Sequence, residues 1–168
     1  AVEAAVVNAV RRQMISDVPL GAFLSGGIDS PLVAAVAQSF SADPLKAFTL
    51  GVEDDRMDET DDALQYGVEI GVEHSILRIH MADVEKLVGQ VVEACSEPFG
   101  DYSIFPTMLL AQFASQQVKV MLSGDGGDEL FWGYTGRMGA AIRNAPAFRR
   151  PFWQRKLRWH ALRRSGEW

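Results

Sequence analysis

Two glycine-rich loops carry the side chains of this 168-residue sequence that are best suited to chemistry. The first loop, residues 25–30 (SGGIDS), follows an apolar run and precedes a helical pattern. Its glycines let the backbone approach a ligand, its serine hydroxyls can donate, and the helix start offers free N–H groups. This pattern predicts an anion site, with phosphate as the favoured ligand. Asp29 would repel a bare anion, so the loop also predicts an accompanying cation.

The second loop, residues 123–134 (SGDGGDELFWGY), gathers three glycines and three acidic residues within seven positions. Acidic side chains in a first helical turn are a common capping device, so Asp128 and Glu129 alone indicate little. Together with Asp29 at a neighbouring strand end, Asp128 could hold Mg²⁺ between carboxylates and nucleotide phosphates. Neither loop has the spacing of a Walker loop or of the dinucleotide fingerprint.

Short apolar runs and helical periodicities alternate along the chain and must position these loops. The apolar runs predict strands at residues 20–24, 47–52, 74–79 and 118–122. The periodicities predict helices over residues 2–15 and 32–40, through Leu64 and Ile70, and over residues 81–94 and 107–117, with Ser30 as a cap and Pro31 at a first helical position. Such alternation predicts an α/β fold, a parallel sheet with helices on both faces. The loops after Leu24, Val52 and Leu122 should then converge on one site.

Charge divides the chain unevenly, because residues 1–135 carry a net charge of −14 and residues 136–168 carry +8. The first range is predicted to be one core domain. The second is predicted to be a basic helical tail that starts an incomplete subdomain, with an RNA or anionic-surface role as the weaker alternative. The net charge of −6 argues against a nucleic-acid partner.

Targeting signals and disulfides are not indicated by the sequence. No apolar run reaches the roughly 18 residues of a membrane span, and no signal peptide is recognisable, so a cytoplasmic protein without membrane contact is predicted. The one cysteine, Cys95, lies in a helical pattern and is interpreted as a small buried hydrophobe. The chain opens in mid-pattern without an initiator methionine, which suggests a truncated fragment.

Residues 18–30 closely resemble the pyrophosphate loop of the ATP pyrophosphatases, whose fold is adenine nucleotide alpha hydrolase-like. This loop alone leaves argininosuccinate, GMP, NAD and tRNA-modifying enzymes open. Residues 48–52, 97–107 and 123–134 add three further matches in order. Together they resemble the synthetase domain of glutamine-dependent asparagine synthetase, over residues 1 to about 140.

This resemblance implies a carbon–nitrogen ligase of amino-acid biosynthesis. The β-carboxylate of aspartate would attack the α-phosphorus of ATP, giving β-aspartyl-AMP and pyrophosphate, and ammonia would then displace AMP. The ammonia would come from a glutaminase domain that this chain lacks, and a homodimer stays open. Amidation or cyclisation of another carboxylate, or nucleotide binding without turnover, are the alternatives.

The resemblance also implies roles for individual residues. ATP and pyrophosphate binding would fall to Phe23, Leu24, Ser25, Gly26, Gly27, Asp29, Ser30, Leu50, Ser123 and Gly124. Asp29 and Asp128 would bind Mg²⁺. Asp125 would be the catalytic residue that handles the ammonia proton, although many members carry glutamate there. Pro31 stands in place of a frequent serine, and Trp132 in place of a frequent glycine.

Overall fold

The computed structural model describes residues 1–54, 58–97 and 100–134, together with Gly136, Gly139, Ile142 and Arg143. The chain divides after Asp125 into two units. The first unit contains α1 (Val2–Gln13), β1 (Leu20–Phe23), α2 (Asp29–Phe40), β2 (Lys46–Gly51), α3 (Thr60–Ile70), β3 (Glu73–Arg78), α4 (Met81–Ala94), α5 (Ile104–Ala114) and β4 (Val120–Leu122). The second unit begins with α6 (Gly127–Phe131).

The four strands form one parallel sheet in the order β3-β2-β1-β4. Ala22 of β1 pairs with Ala47 of β2 on one side and with Leu122 of β4 on the other. The chain therefore runs outward from β1 through β2 to β3 and then returns to the opposite side of β1. The predicted α/β fold with a parallel sheet is confirmed.

Apolar side chains pack on both faces of the sheet because successive strand residues point to opposite sides. On one face, Ala47 and Leu122 pack with buried residues of α1, α2 and α3, among them Ala34. On the other face, Phe48 packs with α5, where its ring meets the Phe113 ring edge-on at a centroid distance of 5.8 Å. Helices thus cover both faces, as the alternating pattern predicts.

Several predicted boundaries differ from the structure by one to three residues. α2 begins at Asp29 with Ile28 as its N-cap, so the prediction that Ser30 caps the helix is wrong. Pro31 is buried at the third helical position, where its missing N–H costs nothing because first-turn N–H groups have no helical partner. α5 begins at Ile104 rather than Thr107, and β4 covers Val120–Leu122 only.

Cys95 follows the last residue of α4 and is half-buried, rather than fully buried as predicted. Its N–H donates to the Val91 carbonyl at 3.0 Å, which closes the end of the helix. None of the helices formed by the described residues is long and apolar enough to span a membrane.

The second unit starts with a tight turn around α6. Gly126 precedes the helix at φ 94°, and Trp132 follows it at φ 64°, the left-handed region that favours glycine. The Tyr134 hydroxyl donates to Glu129 Oε1 at 2.8 Å. Apart from four isolated positions, the predicted basic tail lies outside the described residues, and a domain boundary near residue 135 stays a prediction.

Replacing Trp132 with glycine should stabilise this turn. The left-handed conformation costs a residue with a Cβ roughly 1 kcal/mol relative to glycine, and the exposed indole contributes little packing. We expect Trp132→Gly to exceed Trp132→Ala in free energy of unfolding by about 1 kcal/mol, measured by urea denaturation. Alanine is the matched control, since it removes the indole but keeps the Cβ. Equal stability of the two variants would show that the left-handed backbone at Trp132 carries no strain.

Candidate functional site

The carboxyl ends of β1 and β4 lie side by side where the strand order reverses. In open parallel sheets, ligands bind in the crevice at this switch point. The first loop leaves β1 there, and residues 123–125 of the second loop leave β4 beside it. The topology therefore brings the first loop and residues 123–125 to the place where this fold class binds ligands.

The first loop is folded on itself by its two serines. Ser25 N donates to Ser30 Oγ at 2.8 Å, and Gly27 N donates to Ser25 Oγ at 3.2 Å. The two hydroxyl oxygens lie 2.8 Å apart, so one of them donates to the other. The remaining hydroxyl proton has no acceptor among the described residues. No side chain there caps the amino terminus of α2, and its N–H groups keep their partial positive charge.

The two loops touch at Gly124. A Cβ on this residue would lie 2.8 Å from Ser30 N and 2.9 Å from both the carbonyl carbon and the Cβ of Asp29. Only a glycine lets the end of β4 approach the start of α2 this closely. The structure therefore brings Gly124 directly against Asp29 and Ser30, as the predicted convergence requires.

Gly26 is held by a residue that sequence reasoning missed. Its N–H donates to Glu59 Oε2 at 3.0 Å, and a Cβ there would lie 2.9 Å from the Glu59 Cβ and 3.0 Å from the Asp62 Cβ. Glu59 is the residue just before α3. The acidic run before that helix was visible in the sequence, but nothing local linked it to a glycine 33 positions earlier.

The end of β1 is tied to the other strands by a chain of hydrogen bonds. The Thr49 hydroxyl donates to the Leu24 carbonyl at 2.6 Å and lies 2.7 Å from His74 Nε2. Leu24 N donates to the Phe48 carbonyl at 2.9 Å, and the Leu24 side chain is 2% exposed within the core. Leu24 therefore holds the strand end, and its predicted contact with a nucleotide stays a prediction.

Phe23 and Leu50 occupy the carboxyl ends of β1 and β2 on the sheet face that Phe48 shares. Both are half-buried, so each keeps an apolar surface accessible beside the first loop. Their predicted contact with a nucleotide stays a prediction.

Asp125 and Asp128 fall in different units. Asp125 is exposed, and its N–H donates to the Ser123 hydroxyl at 3.0 Å. Asp128 stands in α6, where its carboxylate lies so close to Gly133 that a Cβ on that glycine would overlap it. The predicted pairing of Asp29 with Asp128 around Mg²⁺ stays a prediction. Among residues 1–54, 58–97 and 100–134 no group of three His, Cys, Asp or Glu could hold a metal.

Charged side chains close the ends of β2 and β3 beyond the first loop. Asp58 accepts a short hydrogen bond from the Thr60 hydroxyl, which lowers the pKa of Asp58, and pairs with Arg78 Nη1 at 3.4 Å. His80 Nδ1 lies 2.6 Å from Glu53 Oε1, and this hydrogen bond raises the pKa of His80. Within each pair the two side chains are hydrogen-bonded to each other, and both pairs hold the loop after β2 in place.

Comparison with known proteins identifies a family for this arrangement. Residues 1–166 match the family model for asparagine synthase. A Methanocaldococcus jannaschii protein provisionally named asparagine synthetase (glutamine-hydrolyzing) 2 is 40% identical over 148 residues, 85% of this chain and 28% of that protein. Asparagine synthetase (glutamine-hydrolyzing) 1 of Bacillus subtilis is 37% identical over 130 residues, 77% of this chain and 20% of that protein. The chain thus spans between a fifth and three tenths of these relatives.

Solved structures share the fold at lower identity. NMN synthetase from Francisella tularensis superposes with a TM-score of 0.54 at 23% identity, over 79% of this chain and 56% of that one. Glutamine-dependent NAD⁺ synthetase from Acinetobacter baumannii, solved with ADP, gives 0.52 at 24% identity, over 79% of this chain and 26% of that one. The predicted resemblance is confirmed by the family match and the curated relatives, and the chain belongs to the asparagine synthase family.

Proposed function

We propose that this chain forms the adenylating core of an ATP-dependent amidotransferase, which activates a carboxylate and passes the acyl group to ammonia. The observation that carries the proposal is the contact of Gly124 with Asp29 and Ser30 at the sheet's switch point. This contact joins two glycine-rich loops beside a helix start that no side chain caps. Such a start favours phosphate groups because its N–H groups and dipole attract negative charge.

In the first step, a carboxylate oxygen attacks the α-phosphorus of ATP, and the bond to the bridging oxygen of the β-phosphate breaks. The electron pair leaves with pyrophosphate. The N–H groups at the start of α2 and the free hydroxyl proton of the Ser25 and Ser30 pair would stabilise that charge. Phe23 and Leu50 would form an apolar wall for the adenine.

In the second step, ammonia attacks the acyl carbon, the mixed anhydride bond breaks, and AMP leaves. The attacking nitrogen must lose a proton. Asp125 is the proposed acceptor because it is exposed and directly follows Gly124, which contacts Asp29. Delivery of ammonia by a glutaminase domain, and the assembly of a homodimer, stay predictions.

Mg²⁺ would supply charge neutralisation for the phosphates when bound. The donor set fits such an ion, since Mg²⁺ is commonly held by one or two carboxylates with phosphate and water completing the shell. Asp29 and Asp128 are the proposed carboxylates.

Exchange of labelled pyrophosphate into ATP tests the proposal, since it reports adenylation without ammonia. We expect exchange that depends on a carboxylate, with aspartate the best in a panel. Preference for another carboxylate would indicate a different amidation or cyclisation. ATP binding without exchange for any carboxylate would indicate a nucleotide-binding module and contradict the proposal.

Asp125→Asn separates the two steps. Because the proton is released only when ammonia attacks, this variant should slow amide formation by about 100-fold or more and slow the exchange far less. Asp125→Glu is the matched control, since it keeps a carboxylate and restores the residue that many family members carry. Equal losses in both assays would contradict the assigned role.

A further inference from the structure

We propose that His74 is a positioning residue for the first loop: its Nε2–H orients the Thr49 hydroxyl onto the Leu24 carbonyl and thereby holds the strand end from which the loop departs. The nucleotide arm of this inference rests on the proposed function. The structural arm stands on the hydrogen bonds alone. Sequence analysis gave Leu24 a role in nucleotide binding and gave no role to His74 or Thr49.

The direction of each hydrogen bond follows from proton counting. A hydroxyl has one proton, and the Thr49 proton is taken by the Leu24 carbonyl, which can only accept. The 2.7 Å contact with His74 therefore requires the imidazole to donate from Nε2. The neutral ring then carries no proton on Nδ1. This tautomer is the one that keeps Thr49 pointed at the strand end.

The surroundings of the imidazole favour the neutral form. His74 Nδ1 is buried and has no hydrogen-bond partner among the described residues. A Cβ on Gly67 of α3 would lie 2.7 Å from Nδ1, so the ring packs directly on that helix. A proton on Nδ1 would be a buried donor without an acceptor, which costs about 1 to 3 kcal/mol. Burial accordingly lowers the pKa of His74 from its ordinary value of 6.5.

Charged groups on the elements packed around His74 do not change this balance. On β2 and β3, the Lys46 ammonium pairs with the Glu73 carboxylate at 3.2 Å. On α3, the Glu69 carboxylate accepts a hydrogen bond from Gln65 at 2.9 Å. Burial is the whole cause of the lowered pKa.

The same helix holds the first loop at a second point. Glu59, immediately before α3, accepts the Gly26 N–H, while Gly67 within α3 supports the His74 ring. The first loop is thus held at two points: Thr49 bonds to Leu24, just before the loop, and Glu59 bonds to Gly26 within it. Loss of the His74 donor frees the Thr49 hydroxyl to turn away from Leu24, which weakens the hydrogen bond that holds the start of the loop.

Amide hydrogen exchange on the full 168-residue chain tests the inference without any ligand. At about pH 7.5, His74→Leu and Thr49→Val should speed exchange at Ser25, Gly26 and Gly27 about tenfold, the effect of losing one hydrogen bond. His74→Gln and Thr49→Ser are the matched controls, since they keep the donor and the hydroxyl. The Val118 amide, which bonds to Ala114 on the other sheet face, should not change. Faster exchange at Val118 as well would indicate a general structural defect and overturn the proposal.

The pH dependence separates positioning from packing. Protonation leaves the Nε2–H in place but makes Nδ1–H a buried donor without an acceptor, so the charged ring is disfavoured in its packed position. Since burial lowers the folded pKa of His74, the packed ring and its tie to Thr49 are stable above the ordinary pKa and are lost as the pH falls through the lowered value. As the pH is lowered from about 7.5 to well below 6.5, the ordinary pKa of His74, loop protection corrected for intrinsic exchange should fall in the wild type and stay constant in His74→Gln. Identical pH profiles would overturn the proposal.

Calorimetry with Mg-ATP provides the nucleotide arm. Over the same pH range, the wild type should lose affinity for Mg-ATP relative to His74→Gln. The protonation of ATP affects both proteins equally, so the comparison isolates the effect of His74. Failure of the wild type to bind Mg-ATP would contradict the proposed function, while the exchange measurements would still decide the role of His74. Binding that is equal in both proteins at every pH would overturn the inference and leave the proposed function standing.

Discussion

Replacing Gly124 with alanine is expected to lower the free energy of unfolding by about 1 to 3 kcal/mol and to weaken ATP binding at least tenfold. The added Cβ would lie within 3 Å of Ser30 N and of the Asp29 backbone. These are main-chain atoms of the first turn of α2 and cannot rotate aside as a side chain can. The start of α2 must therefore move away from β4, and the loop loses the geometry proposed to bind phosphate. Urea denaturation and calorimetry measure the two effects.

Gly89→Ala is the matched control for this substitution. Gly89 lies within α4, where an added Cβ would meet nothing within 4 Å. Alanine is the better helix former there, so this variant should gain about 0.5 to 1 kcal/mol and bind ATP unchanged. If Gly124→Ala behaved like Gly89→Ala in both measurements, the close contact between the two loops would be wrong.

ATP binding is expected to require Mg²⁺ and to weaken by about 1 to 3 kcal/mol in Asp29→Asn or Asp128→Asn. The physical reason lies in the charge of the site. Asp29 begins α2 in contact with Gly124, and Glu59 bonds to Gly26, so nucleotide phosphates would meet carboxylates without a lysine in the loop. A divalent cation removes this repulsion, and each aspartate proposed to bind it should matter. Titrations with Mg²⁺ and with EDTA measure the requirement.

Asp43→Asn removes a carboxylate at the opposite end of the sheet and is the control. Asp43 is exposed just before β2 begins at Lys46. Its main-chain carbonyl accepts a hydrogen bond from Gln38, and its carboxylate has no partner among the described residues. This variant should bind Mg-ATP as the wild type does. Equal ATP affinity with and without Mg²⁺ would refute the metal assignment. Equal weakening of ATP binding by all three variants would also refute it, since the effect would then come from the net charge of the protein and not from two metal-binding aspartates.

Helices and strands followed well from the sequence where the signal was periodic. α4 has the predicted bounds, because its apolar spacing continues through the whole element. The start of α5 was predicted three residues too late, at Thr107, and the helix takes in Pro106. At the third helical position its missing N–H has no helical partner to lose. Val118, the first residue of the predicted fourth strand, instead closes the end of α5 by donating its N–H to the Ala114 carbonyl, and the Lys119 N–H donates to the Pro19 carbonyl.

The chemistry of the loops was also legible in the sequence, because glycine, serine and aspartate act through local backbone geometry. The role of Ser30 was not, since its hydroxyl could cap the helix or turn back to Ser25. The structure chooses Ser25, whose N–H it accepts at 2.8 Å. That choice depends on how the loop folds in space, which sequence spacing does not determine.

The sequence by itself determined the alternating fold, the family resemblance and the residue types of the two loops. These are local properties, carried by periodicity over a few turns and by short motifs. Only the tertiary structure decided the strand order, the contact of Gly124 with Asp29, and the support of the first loop by Glu59 and His74. Their partners lie tens of residues away in the chain, and such pairings form when packing buries apolar faces and leaves each buried polar group a partner.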